Sequence, residues 1–331
     1  MTGPGGWSAP CVWRAARPDV LRAPTVRGVG PSVMQLPRVD SAEKPANLLS
    51  FLELFAHIPY GQSWFFRLKN GLVLDENAAP LPVDAPYIGG QRITYYRDMG
   101  EEPRVPFEET IIYQDAHLLV ADKPHFLPVS PTGRYVQETL LVRLKRRTGL
   151  DDLAPVHRLD RDTAGLVMFS VQPQTRNAYA ALFRERRVHK TYQAIAPFRA
   201  DLAFPRTHTS RLAEGASFMQ MQEVAGVANS ETRMQLVAQH GSFARYQLEP
   251  VTGRRHQLRV HMHALGVPIV GDQIYPVLSP ETAPEDLDYS RPLLLLGQAL
   301  EFEDPVTRRE QRLVSERKLD WPYTPASNSP T

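Results

Sequence analysis

Residues 233–266 read RMQLVAQHGSFARYQLEPVTGRRHQLRVHMHALG. Arg233 to Ala238 and Phe243 to Glu249 alternate as strands, and in the second Ala244, Tyr246 and Leu248 face one side. Arg254 to Leu265 reads as a helix, with Leu258, Met262 and Leu265 as its apolar stripe and Gly266 ending it. A hairpin-like pair that runs into a helix argues for an antiparallel sheet, not a βαβ unit. Working outward, Leu118 to Ala121, Leu166 to Ser170, Lys190 to Ala196 and Leu293 to Gln298 read as further strands. Val136 to Arg147 reads as a helix with Val136, Leu140, Leu141 and Leu144 on one face and Gly149 just past its end, and Thr175 to Arg187 as another. There is no sustained βαβ rhythm, no GxGxxG and no Walker loop. The expected fold class is α+β, a mainly antiparallel mixed sheet flanked by helices.

The 331 residues are 42% hydrophobic, enough for one large domain or two ordinary ones. No stretch approaches the roughly 18 uncharged apolar residues of a spanning helix, so no membrane partner is expected. Lys and Arg number 38 against 36 Asp and Glu, a net charge of +2. That excludes a histone-like polycation and leaves room for a local basic face. The single cysteine, Cys11, excludes a disulfide framework and a Cys-cluster metal site and fits a reducing, cytoplasmic setting. Thirty prolines are about 9% of the chain against a usual ~5%, which implies many loops and few long helices.

Residues 1–33 hold four arginines, Arg14, Arg17, Arg22 and Arg27, and one acid, Asp19, with no apolar period. They read as a disordered extension, a start upstream of the true one at Met34, or a transit peptide. Overall, 1–44 is expected to be an extension, 45–100 a small module, 101–110 a linker, and 111–331 the main domain. Within the module, Asn47 to Ile58 and Trp64 to Leu68 read as helices, Leu72 to Leu74 and Arg92 to Tyr96 as strands. Residues 279–291 read as an acidic surface loop.

The densest polar cluster is His157-Arg158-Leu159-Asp160-Arg161-Asp162-Thr163-Ala164-Gly165, on a loop entering the sheet. It reads either as a solvated turn capped at Thr163, or as a carboxylate used as nucleophile or base and kept ionised by neighbouring guanidinium groups. A second cluster spans Thr252 to His263, where Arg255, Arg259 and His263 fall in one helical row. Its histidines, spaced H-x4-H-x-H, do not match HExxH, and arginines in the same rows would repel a divalent ion. A polar helix face and an anion-facing basic face are the other readings, with Arg254 and Arg255 in the first turn suited to phosphate. Arg184 to Tyr192 and the group Arg143, Lys145, Arg146 and Arg147 are further basic stretches. Basic stretches flanking one carboxylate loop look like a groove for a polyanion.

These clusters resemble the RluA-type pseudouridine synthases. HRLDRDTAGL is similar to that family's HRLD-x-x-T-S-G-L signature, HKTYQA to its K-x-Y-x-A strand, and VTGRRHQLRVHMHALGVPIVGDQIY to its TGR-x-HQ-x-R-x-H…G-x-P-I-x-GD-x-x-Y segment. DKP followed by LPV resembles its first motif, and the signatures keep the family's order over roughly residues 110 to 320. Ala164 stands where Ser is usual, Phe126 where Gly is usual, and Pro276 where Gly is frequent. The module at 45–100 resembles the small αL-type RNA-binding module at Gly71-Leu72-Val73 and Gly90-Gln91-Arg92-Ile93, although only Arg67 and Lys69 are cationic between Phe51 and Gly90.

The resemblance implies the pseudouridine synthase catalytic fold and isomerisation of specific uridines in structured RNA, ribosomal or transfer, by a monomer needing no metal or other cofactor. It implies Asp160 as the catalytic carboxylate, acting as nucleophile at the sugar or base at C2′. It implies Arg259 as that carboxylate's partner and Tyr192 as the ring that stacks on a base taken out of the helix. Arg158 would fill the vacated space, and His157 would shape the loop. RNA contacts are expected from Arg158, Arg254, Arg255, His256, Lys190, Arg186 and Lys123. Two rival readings are a non-catalytic RNA-binding protein of the same fold and a metal hydrolase built on His256, His261 and His263.

Overall fold

The computed structural model of the chain describes residues 29–39, 45–55, 63–96, 102–215, 217–280, 286 and 288–322. The expectations for 1–28, 40–44, 56–58, 97–101 and the acidic stretch 281–285 lie outside the described residues. The chain divides into two compact units: Met1–Glu102 with Pro131–Asp151, and Pro103–Ser130 with Asp152–Thr331.

In the first unit, β1 (Ser32–Gln35), α1 (Leu48–Phe55), α2 (Trp64–Lys69), β2 (Val73–Leu74) and β3 (Arg92–Tyr95) surround a core of Leu36, Leu48, Leu52, Trp64, Val73, Tyr87 and Ile93. The sheet order is β1-β3-β2, and β1 pairs antiparallel with β3 from Ser32 opposite Tyr95 to Gln35 opposite Arg92. This corrects the reading of 1–44 as an extension: Val29 and Leu36 are buried, and Val29 packs with Val136 and Val142. Four residues between prolines carry no visible period, and the strand is specified by its partner β3. Arg67 is also buried, donating to the Tyr96 carbonyl and lying over the Trp64 ring, so one of the module's two cations is structural.

Helix α3 (Leu140–Thr148) belongs to this unit. It begins four residues later than its apolar face suggested. The Glu102 carboxylate accepts from the amides of Val136, Gln137 and Glu138, and extended Thr139 is the N-cap, accepting from Val142. Gly149, at φ 71, ends the helix as expected.

The second unit carries β4 (Thr110–Gln114), β5 (Leu118–Lys123), β6 (Ala154–Pro155), β7 (Ala164–Ser170), α4 (Arg176–Arg184), β8 (His189–Pro197), β9 (Arg206–Glu214), β10 (Met221–Val224), β11 (Ser230–His240), β12 (Phe243–Pro250), α5 (Gln257–Ala264), β13 (Leu295–Glu303) and β14 (Glu310–Val314). They make an 11-stranded sheet in the order β10-β9-β11-β12-β8-β13-β7-β5-β4, with β14 on β13 and β6 on β7. All pairings are antiparallel except β13 with β7, so the α+β expectation holds. Tyr179 and Leu182 of α4 pack on Val120, Met168 and Leu300. Leu258 and Met262 of α5 pack on Ala244, Tyr246 and Leu248, the face anticipated from β12's alternation. Gly165, at φ 121, marks the parallel crossing: a Cβ there would lie 2.2 Å from the Gly297 carbonyl oxygen. Among the described residues no helix is long and apolar enough to cross a membrane.

Candidate active site

A cleft of about 820 Å³ opens where four segments of the second unit meet. The β6–β7 loop brings Arg158 and Asp160, the α4–β8 turn and β8 bring Arg186, Lys190 and Tyr192, the β12–α5 loop brings Arg254, Arg255 and His256, and α5 brings Arg259. Nine of the residues expected from the sequence therefore line one cavity. Arg158, Arg186, Arg254 and Arg255 are exposed along it, while Arg259 is 2% exposed.

Asp160 and Arg259 meet, 99 residues apart in sequence: Arg259 Nη1 donates to Asp160 Oδ2 at 3.2 Å. The two-pronged face of the guanidinium goes elsewhere. Arg259 Nε donates to Asp272 Oδ2 at 2.8 Å and Nη2 to Asp272 Oδ1 at 2.6 Å. Asp272 Oδ1 also accepts the amides of Ile274 and Tyr275, a turn that aims the carboxylate back at α5. Burial opposes the charge of Arg259, yet its bonds to Asp272 and the charges of Asp272, Asp160 and Asp162 outweigh it and raise its pKa. The sequence reading assigned Asp272 no role. The signal was present in the Gly271-Asp272 pair, whose glycine takes φ 79.

Tyr192 is half-buried beside Asp160, and burial together with that carboxylate's charge raises its hydroxyl pKa. Gly297 makes room for the ring: a Cβ there would sit 3.3 Å from Tyr192 Cε1. His256 places Nε2 3.9 Å from Asp160 Oδ2 and Nδ1 3.1 Å from the Tyr275 hydroxyl. Burial lowers its pKa, and the pull of Asp160 against Arg259 and Arg255 leaves it lowered.

The Asp160 loop is supported from β5 and the segment after it. Lys123, expected at the RNA, is instead wholly buried, a correction forced by its Nζ donating to the carbonyls of Pro124, Leu127 and Arg161 at 2.8–2.9 Å. Burial pulls its pKa down to about 7 against the charges of Asp162 and Asp160. His125 Nδ1 lies 2.7 Å from the Asp162 carbonyl. His157 accepts the Met168 amide at Nε2 and stacks on Phe183. Phe126, where the family's glycine would stand, takes φ 65, the left-handed backbone a glycine favours, and stacks on Phe107.

Helix α5 starts at Gln257, three residues later than expected, so Arg254 and Arg255 precede its first turn. Thr252 Oγ1 donates to Gln257 Oε1, which also accepts the Arg254 amide, and His256 turns the chain at φ 54. The row joining Arg255 to Arg259 and His263 is broken there. The proposed trio His256, His261 and His263 is not drawn together either. Among the described residues, the group at metal-ligand spacing is His208, Glu223 and His261. Its members are engaged with one another and with hydroxyls: His208 pairs with Glu223 at 2.7 Å, and His261 contacts Thr232 at Nδ1 and Ser230 at Nε2, both at 2.9 Å.

A sequence profile described as RNA pseudouridylate synthase matches residues 117–264. The chain is 33% identical over 202 residues to the dual-specificity RNA pseudouridine synthase RluA of Haemophilus influenzae, covering 60% of this chain and 88% of that protein. It is 30% identical over 260 residues to ribosomal large subunit pseudouridine synthase D of Pseudomonas aeruginosa, covering 72% and 78%. Among solved structures, human RNA pseudouridylate synthase domain containing 1 superposes with a TM-score of 0.52 at 23% identity, covering 66% of this chain and 86% of that one, which bears on the fold. With the ordered motifs and relatives at or above 30% identity matched over most of their length, the chain belongs to the RluA-type family of RNA pseudouridine synthases, which are isomerases.

Proposed function

We propose that the chain isomerises specific uridines of ribosomal or transfer RNA to pseudouridine, with Asp160 as its catalytic carboxylate. The observation that carries this reading is the Asp160–Arg259 pair: a third-exposed carboxylate on the floor of a cation-lined cleft, held by a buried guanidinium. During the reaction the N1–C1′ bond breaks, the base turns, C5 joins C1′, and C5 then gives up its hydrogen while N1 gains one. Asp160 acts at the sugar, as nucleophile at C1′ or base at C2′, and Arg259 holds it in place through Nη1. Tyr192 offers a ring for the flipped base, and Arg158, exposed on the same loop as Asp160, fills the vacated stack. Arg186, Lys190, Arg254 and Arg255 supply phosphate contacts along the cleft.

The test is Asp160→Asn, assayed on unmodified RNA from a strain lacking the gene, with pseudouridine mapped before and after. The variant is expected to fold and bind RNA and to form no pseudouridine. An active Asp160→Asn protein overturns the mechanism, and RNA binding without conversion by the parent protein favours the non-catalytic reading.

A further inference from the structure

His256 adopts left-handed backbone at φ 54, ψ 15, a conformation disfavoured for any residue but glycine. Such strain persists where the surrounding structure over-determines it, and it clusters at functional positions. Here the strained residue lines the cleft with its side chain 9% exposed. Its imidazole is wired on one side only. The buried Tyr275 hydroxyl accepts the Met221 amide hydrogen at 2.8 Å. Its own hydrogen can be given to His256 Nδ1, 3.1 Å away, the direction that turns the other ring N–H toward the Asp160 carboxylate. A ring nitrogen that accepts a hydrogen bond leaves the proton of a neutral imidazole on the other nitrogen. Nε2–H then faces the cleft, 3.9 Å from Asp160 Oδ2, beyond hydrogen-bond reach of it. Arg259, Arg255 and Asp272 are the other charged groups acting on the ring. Arg259 Nη1 and Nη2 are occupied by Asp160 and Asp272, and Asp272 is satisfied by Arg259 and two amides.

A fixed neutral donor beside the carboxylate that acts on the sugar has an evident use. When the N1–C1′ bond breaks, its electron pair leaves with the uracil and spreads from N1 onto the carbonyl oxygens. O2, on the carbon next to N1, is the one nearest the sugar. We propose that His256, locked as its Nε2–H tautomer by Tyr275, is a catalytic residue that donates a hydrogen bond to uracil O2 and stabilises the departing uracil anion. No proton is transferred: N–H stays on the imidazole, and the charge is withdrawn from O2 when C5 bonds to C1′. The inference rests on the reading of Asp160 given above. A donor aimed at the atom where charge develops is worth more in the transition state than in the ground state.

The experiment uses the full chain and an unmodified transcript carrying the target uridine, with the rate of a single turnover, RNA affinity and melting temperature read for each variant. His256→Asn keeps the left-handed backbone and an amide near the Nδ1 position, while removing the donor at Nε2. It should melt and bind RNA like the parent and turn over about 100-fold more slowly. His256→Gln, whose amide reaches the Nε2 position, should recover part of that loss. Tyr275→Phe frees the ring to take either tautomer and should give a smaller loss. Transcripts with 2-thiouridine in place of uridine put a poorer acceptor at the proposed contact. They should slow the parent, and His256→Asn should lose that sensitivity, whereas 4-thiouridine should affect both proteins alike. Parental turnover by His256→Asn, an equal 2-thio effect in both proteins, or a 4-thio effect that vanishes in the variant would each overturn the proposal. Asp160→Asn, run alongside, separates the two readings: if it is inactive while His256→Asn turns over normally, only the role of His256 falls.

Discussion

Asp272, and not Asp160, takes the two-pronged face of Arg259, through Nε and Nη2 at 2.8 and 2.6 Å, leaving Nη1 for Asp160 at 3.2 Å. The guanidinium is thus anchored by a carboxylate that is 1% exposed and serves one that is 32% exposed. A planar fork with donors on both sides can bridge two carboxylates, and an ammonium cannot reproduce that geometry.

An order of stability follows from this bridge. Asp272→Ala removes one partner of a buried pair and should cost about 3–5 kcal/mol, with activity falling as Arg259 loses its orientation. Asp160→Ala leaves Arg259 paired with Asp272 and should cost at most about 1 kcal/mol while abolishing activity. Arg259→Lys can satisfy one carboxylate at a time and should be both less stable and less active. Urea unfolding midpoints check the order. Equal losses for Asp160→Ala and Asp272→Ala would contradict it.

Truncation to Met34 should destabilise the first unit. It deletes Val29 and cuts β1 between Val33 and Met34, removing half of the pairing with β3. Loss of one buried valine alone costs about 1.5–3 kcal/mol. Melting of the full and truncated chains, followed through a tryptophan signal, measures the difference. Identical curves would mean that β1 contributes nothing.

The truncation also shows where the sequence stopped being legible. The alternation of Ala244, Tyr246 and Leu248 and the stripe Leu258–Met262 were readable because one apolar face repeats along a long element. Strand β9, Arg206–Glu214, has one fully buried side chain, Leu212, and its inner positions are otherwise polar, so nothing in its composition announces a strand. Strand β1 is too short to show a period. At the site, the resemblance to the family's motifs, not residue type or spacing, pointed to Asp160, Arg259 and Tyr192, and Lys123 was misplaced because burial of a lysine depends on three carbonyls brought from two loops. The Gly271-Asp272 turn was visible in the sequence, but its bond to Arg259 and the contact of Tyr275 with His256 join side chains 13 and 19 residues apart, which no local pattern states.

Acid should unfold the protein early. Burial first, with Lys190 nearby for His157, His208 for His261 and Lys123 and Arg317 for His125, lowers their pKa values to about 3, 4 and 4 against 6.5. The unfolded chain therefore binds these protons near pH 6.5 while the folded chain does not. Stability is fully present above about pH 6.5 and falls as pH drops, by up to about 1.4 kcal/mol per pH unit for each histidine, levelling off below the folded values. Lys123, lowered to about 7 in the folded chain, adds a slope of the same sign at about pH 7 and above and none well below it, so the histidines set the profile below about pH 6. Urea midpoints between pH 7.5 and 4.5 test it. A flat profile would show that these rings charge in place.

RNA affinity should fall steeply with salt. Arg158, Arg186, Lys190, Arg254 and Arg255 line one cleft, and each phosphate contact adds about 0.7–0.9 to the slope of log affinity against log salt. Three or more contacts give a magnitude of about 2–3 or above. Arg254 donates through Nε to the Asn229 carbonyl and Arg255 through Nη2 to the Phe218 carbonyl, so each is held in place with other donors available. Alanine at either should lower the slope by about one contact. An unchanged slope in both would move the phosphate path elsewhere.

Tyr192 should separate binding from chemistry. Its ring lies beside Asp160, and the bare backbone of Gly297 keeps its edge free, with 3.3 Å between Cε1 and the place a Cβ would occupy. On the proposed role, Tyr192→Phe preserves the stacking surface, so RNA affinity should hold and only a step that uses the hydroxyl should slow. Tyr192→Ala removes a stacking partner worth about 1–3 kcal/mol per base, so the dissociation constant should rise roughly 5- to 150-fold. Gly297→Ala offers an independent route to the same ring. Its added methyl leaves every functional group in place but presses on Tyr192, so turnover should fall more than affinity. If Tyr192→Ala bound and converted RNA like the parent, the base would have to stack elsewhere in the cleft, and Gly297→Ala should then be silent as well.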